Sequence, residues 1–150
     1  MLHEDEKERL DRELGELLQE LRVMLPGVQV MLAFLLTVPF TQRFGEVTPL
    51  QRMVYFATLL CTTLATAVLI APSVHHRVLW RQRTRGERLE IANRLAIAGT
   101  VLLALATMGA VFVVSDMLYG VTTASAFAAI VGGVLALLWY GLPLLRRRRS

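Results

Sequence analysis

The chain has 150 residues, 55% of them apolar, with 16 Lys and Arg against 12 Asp and Glu for a formal charge of +4. Soluble domains carry about 45–50% apolar residues dispersed along the chain; here the excess is gathered into long uncharged blocks, which excludes an ordinary water-soluble core. The single cysteine, Cys61, excludes an intramolecular disulfide, and the acidic amino terminus, with no apolar stretch in it, is not expected to be a signal peptide.

Residues 1–25 read as a helix of their own. Leu10, Leu14, Leu17, Leu18, Leu21 and Leu25 fall on one stripe at helical spacing. Asp5–Arg9 and Glu8–Arg12 are acid-first pairs one turn apart on its wet side. Residues 1–22 hold eight acids and four bases. Membrane-surface helices carry a basic polar face, so this acidic one is expected to meet basic protein surface. The chain offers two such surfaces: the arginines of 73–94, read as a loop, and the tail Arg146–Arg149. Pro26-Gly27 is expected to break or bend this helix, because proline cannot donate to the carbonyl of Arg22 and clashes with it.

Four apolar blocks follow. The first, "VQVMLAFLLTVPF", is only 13 residues long (28–40) and carries Gln29 and Pro39. The segment "TQRFGEVTPLQR" then contains a helix start, with Thr48 as cap, Pro49 at the first position and Gln51 closing a capping box. Uncharged runs of 20, 21 and 27 residues cover 53–72, 95–115 and 119–145; each exceeds or equals the roughly 20 helical residues a bilayer core requires. Pro72 is expected to end or kink the second span. The turn "SDMLYG" between the third and fourth is short, and its Gly120 suits a left-handed conformation.

Small residues recur at helical spacing within these blocks: Thr58, Thr62 and Thr66; Gly99, Ala106 and Ala110; Ala124, Ala128, Gly132 and Ala136, with Ser125, Ala129 and Gly133 beside them. Such rows permit close helix approach, within one chain or between two. Tyr55, Tyr119, Trp139, Tyr140 and Trp80 mark interface depths.

The basic residues decide the count of spans. Four spans with an inner amino terminus place 14 Lys and Arg inside and only Arg43 and Arg52 outside. Three spans would split them 6 and 10, so the positive-inside rule favours four, with both termini cytoplasmic. The expected fold is all-α: a four-transmembrane-helix bundle preceded by a cytoplasmic amphipathic helix. Its parts are the helix 1–25, a membrane domain 26–145 with spans at about 27–44, 50–72, 92–115 and 120–142, and a basic tail 146–150.

The stretch "APSVHHRVLWRQRTRGER" invites a metal or nucleic-acid reading. His75 and His76 are adjacent and project about 100° apart on a helix, without the four-ligand set zinc requires. Nothing resembles a nucleic-acid-binding module. No metal, cofactor or nucleic-acid partner is therefore expected. Trp80, Arg81, Arg83, Arg85 and Arg88 read instead as contacts to anionic lipid headgroups or docking contacts to the acidic helix. The spans carry no charge at their centres, unlike ion-coupled pumps. Nucleophile-elbow, zinc-protease, phosphate-loop and dinucleotide motifs are all missing, so no enzyme is expected.

The runs "ELLQELRVMLPGVQVMLAFLLTVPF" (16–40) and "YFATLLCTTLATAVLIAPSVHHRVLWR" (55–81), with the closing "LWYGLPLLRR", resemble a family of short four-span membrane proteins of unknown function common in actinobacteria. The resemblance covers most of the chain. It implies a membrane location and the four-span fold, and brings no activity. The family's recurring features match Glu20, Leu21, Arg22, Gly27, Gln29, Pro39, Phe40, Pro72, His76 and Arg77. Of these, Glu20, Arg22, Gln29, His76 and Arg77 fall near the inner leaflet and make a candidate polar network. The expectation is a non-enzymatic assembly or accessory module of the bacterial plasma membrane, acting through its acidic helix and arginine-rich segment on itself or on a membrane protein partner. The alternative is a homo-oligomeric channel or small-solute transporter, with the threonine row of the second span as a pore lining.

Overall fold

The computed structural model describes residues 2–78 and 85–141, and every regular element among them is helical. Helix α1 spans Leu2–Thr37, followed by short 3-10 turns at Val38–Phe40 and Gln42–Glu46. Helices α2 (Pro49–Val78), α3 (Arg85–Tyr119) and α4 (Val121–Ala136) follow, and a π-turn at Leu137–Gly141 prolongs α4. Four stretches are long and apolar enough to cross a membrane: Glu4–Phe40, Pro49–Val74, Leu89–Tyr119 and Val121–Gly141. The all-α, four-span expectation is met.

The separate amino-terminal helix is not found. Helix α1 runs unbroken through Pro26 as 36 residues, about 54 Å at 1.5 Å per residue. The reason lies on either side of the proline. Leu21 and Val28 belong to one buried cluster with Ala65 and Leu69 of α2, so a break would pull one of them out. Leaving the carbonyl of Arg22 without its helical donor costs less than losing that packing, and membrane helices commonly accommodate proline. Nor does Pro72 end α2, which continues six residues to Val78. Only residues 79–84 of the segment read as a loop over 73–94 lie outside the described residues, and the rest is helix.

By contacts the chain divides into two compact units. The first comprises Met1–Leu36 and Thr62–Leu103. Its core is Leu21, Val28, Ala65 and Leu69, with Leu17, Leu25, Ala96, Leu102 and Leu103 packed around it. The leucine stripe of α1 is therefore covered by the protein itself. Gly99 is required here, because a Cβ on it would stand 2.6 Å from Leu69 Cγ.

The second unit comprises Thr37–Cys61 and Ala104–Ser150. Thr58, 3% exposed, bonds its hydroxyl to the carbonyl of Val54 at 2.8 Å and sits flush on Gly109 of α3. Met108 of α3 fills the notch at Gly132 of α4, and Ala124 is fully buried. Phe44, Tyr55 and Phe56 stack edge to face at 5.2 Å centroid spacing.

The start of α2 follows the expected capping box. The Thr48 N–H donates to Gln51 Oε1 at 2.9 Å, and the Gln51 N–H donates to Thr48 Oγ1 at 3.2 Å. Thr48→Ala is expected to cost about 1 kcal/mol, as loss of a helix cap does, while Thr48→Ser stays near the parent. Unfolding midpoints in mixed micelles of mild detergent and dodecyl sulfate check this.

Between α3 and α4 stands a single residue, Gly120, at φ 85° and ψ 167°. Its φ is positive as expected, but its ψ places it in the mirror image of extended backbone rather than in a left-handed helical turn.

Candidate docking surface at the charged ends of α1 and α3

Glu13, Glu16 and Glu20 lie three and four residues apart and so share one face of α1. On α3, Gly86, Leu89, Glu90 and Asn93 have the same spacing. With Leu17 they line an open cleft of about 510 Å³ within the first unit. Residue numbers rise together along the two helices, from this cleft into the core formed by Leu21, Val28, Ala96, Leu102 and Leu103, so α1 and the start of α3 run parallel. Buried Leu14 and Leu21 flank the glutamates on α1 and hold that face outward. Gly86 keeps the opposite wall low, with open space where a side chain would be.

Four carboxylates thus surround one cleft, and no basic residue lines it among the described residues. Two have a cation on their own helix. Arg9 Nε reaches Glu13 Oε1 at 3.0 Å, and Arg94 pairs with Glu90 at 2.5 Å. Both pairs are exposed, each worth about 0.3–0.5 kcal/mol and open to exchange with another cation. Glu16 and Glu20 have no ion-pair partner among the described residues. Arg9 was expected to pair with Asp5. It turns to Glu13 instead, where Glu16 deepens the negative potential one turn further on.

The structure separates part of the expected polar network. Glu20 lines the cleft, whereas Arg22 lies two residues on, about 160° around the helix. Gln29 shares the face of Arg22, and both are exposed. His76 and Arg77 belong to α2, and Arg85 and Arg88 to α3; their side chains, like Trp80, Arg81 and Arg83 as a whole, lie outside the described residues.

Sequence reasoning singled out Glu20 but passed over Glu13, Glu16, Leu17, Glu90 and Asn93 as members of a site. The spacing of the three α1 glutamates was a visible signal. Apposition to the segment 73–94 was expected for its arginines; that Gly86, Leu89, Glu90 and Asn93 line the cleft was not legible, since it depends on α1 and α3 being parallel neighbours.

Comparison with known proteins adds one match. The model of a family of unknown function, DUF6328, matches residues 3–143. No curated protein matches the chain, and no solved structure matches it.

Proposed function

We propose that this chain, which belongs to the DUF6328 family of unknown function, is a non-enzymatic assembly module of the plasma membrane that docks a basic protein segment in its acidic cleft. One observation carries the reading: four glutamates line an open cleft that no described cation fills. Their charge selects for Lys and Arg, and Leu17 and Leu89 add apolar contact for side-chain stems. Arginine suits the site best, because its planar fork binds carboxylate in pairs of hydrogen bonds. The tail Arg146–Arg149 is the chain's own example of such a segment.

The distribution of 14 basic residues against two supports a cytoplasmic location for the cleft and for both termini. The arginines at 81, 83, 85 and 88, with Trp80, are the groups suited to anionic headgroups at the same surface. The pore reading is less favoured by its threonine row, in which Thr58 and Thr62 are 3% and 0% exposed in a single chain and Thr66 is half-buried.

The test uses the full chain in nanodiscs of uncharged lipid and a labelled peptide with the sequence of residues 142–150. The peptide is expected to bind, more weakly as salt rises. Replacing Glu13, Glu16 and Glu20 together by Gln is expected to weaken binding about tenfold, from roughly 0.5 kcal/mol per exposed pair. Equal binding by the parent and the triple variant would refute the reading.

A further inference from the structure

Gln29, on α1, stands in an uncharged stretch of the chain that begins after Arg22 and ends before Arg43. It is seven residues beyond Arg22, hence about 10 Å along the helix from the charged boundary. An amide on a three-carbon reach does not return over that distance to the headgroups. The side chain is exposed, and among the described residues nothing hydrogen-bonds to it. Its neighbours on the same face, at helical spacing, are Arg22, Pro26, Ala33 and Leu36, and every one of them is exposed. This face of α1 is thus left uncovered by the described residues, with a polar amide set at depth in hydrocarbon.

We propose that this face is where a second copy of the chain seats, the two Gln29 amides exchanging hydrogen bonds across a twofold axis. A carboxamide carries two N–H donors and an accepting oxygen, so an identical group can exchange one hydrogen bond with it in each direction. Copies inserted in the same direction present Gln29 at the same depth and their α1 helices parallel. A twofold contact is self-complementary by construction. Pro26 and Ala33, one turn below and above, are small enough to let the two backbones approach, and polar side chains join membrane helices in this way. Arg22, a further turn out, reaches the headgroup layer and splays its charge into water, so the two copies' guanidinium groups need not face each other. The contact is on the flank of α1 away from Glu20, so it leaves the acidic cleft open and stands or falls separately from peptide docking there.

The experiment measures self-association of the full chain in liposomes by energy transfer between labelled copies, over a range of protein-to-lipid ratios. The parent is expected to dimerise. Gln29→Leu is expected to weaken the dimer at least about tenfold, while Gln29→Asn, which keeps the amide, stays closer to the parent. In a Cys61→Ser background, Ala33→Cys is expected to form a disulfide between copies, and Gly27→Cys, on the far side of the helix, is not. Because the Gln29 side chain is exposed and makes no hydrogen bond among the described residues, helicity and unfolding of Gln29→Leu should match the parent. A monomeric parent, unchanged association of Gln29→Leu, or equal crosslinking at 27 and 33 would overturn the proposal.

Discussion

Gly109→Val is expected to lower stability by about 3 kcal/mol, the upper part of the range for inserting side-chain volume into a packed contact. A Cβ at this position would fall inside Thr58 Oγ1 and stand 3.2 Å from Thr58 Cβ. Thr58 has little room to yield. Its hydroxyl is committed to the Val54 carbonyl, and its side chain is buried. Two opposing terms are at work, since leaving glycine in a helix interior gains up to about 1 kcal/mol in propensity. The overlap outweighs it. At Gly133 of α4 the same arithmetic reverses, because nothing lies within 4 Å of a Cβ there; Gly133→Ala is expected to be neutral or stabilising by up to about 1 kcal/mol. In a Thr58→Ala background the penalty of Gly109→Val should shrink by at least half, as coupled neighbours require. Reversible unfolding in mixed micelles, followed by circular dichroism, gives all these values. Equal effects at 109 and 133 would show that the Thr58–Gly109 contact is not the determinant.

Gly120→Ala should cost about 2 kcal/mol, the expense of forcing a side chain into a backbone region reserved for glycine. The α3–α4 connection is this one residue, with the Gly120 N–H donating to Asp116 O at 3.0 Å and the Ala124 N–H donating to Gly120 O at 3.1 Å. Neither helix can shed the strain into a longer loop. Gly120→Asn separates two explanations. Asparagine rescues left-handed helical turns, but at ψ 167° it should fare no better than alanine. A full rescue by Asn would mean that the turn had relaxed into the left-handed helical form.

How much was legible in the sequence varied with the range of the interaction. The helix start at Thr48-Pro49-Leu50-Gln51 was readable in full, since every partner lies within four residues. The glycine requirement at 120 was readable as well, but its particular conformation was not, because ψ depends on how α4 leaves the turn. Pro26 shows the opposite case. Locally it is a helix breaker, and the local rule was overridden by Leu21 and Val28, on either side of it, joining one buried cluster with Ala65 and Leu69 of α2. For the candidate site, the acidic face of α1 was plain from composition. The arginines expected to neutralise it, at 81, 83, 85, 88 and 146–149, or their side chains, lie outside the described residues; what the structure adds is Glu90 and Asn93 of α3 standing opposite.

By itself, then, the sequence determined the membrane class, the number of spans, the acidic face and the local caps. Each follows from charge, hydropathy and spacing within a few turns of one helix, and such terms require no knowledge of neighbours. Only the tertiary structure decided that α1 is a single long helix, that Thr58 and Thr62 are buried, that Glu20 and Arg22 point apart, and that Gln29 faces outward. These depend on which helix packs beside which and at what rotation. Rows of small residues occur on several faces of these helices, and contacts such as Thr58 on Gly109 choose among them.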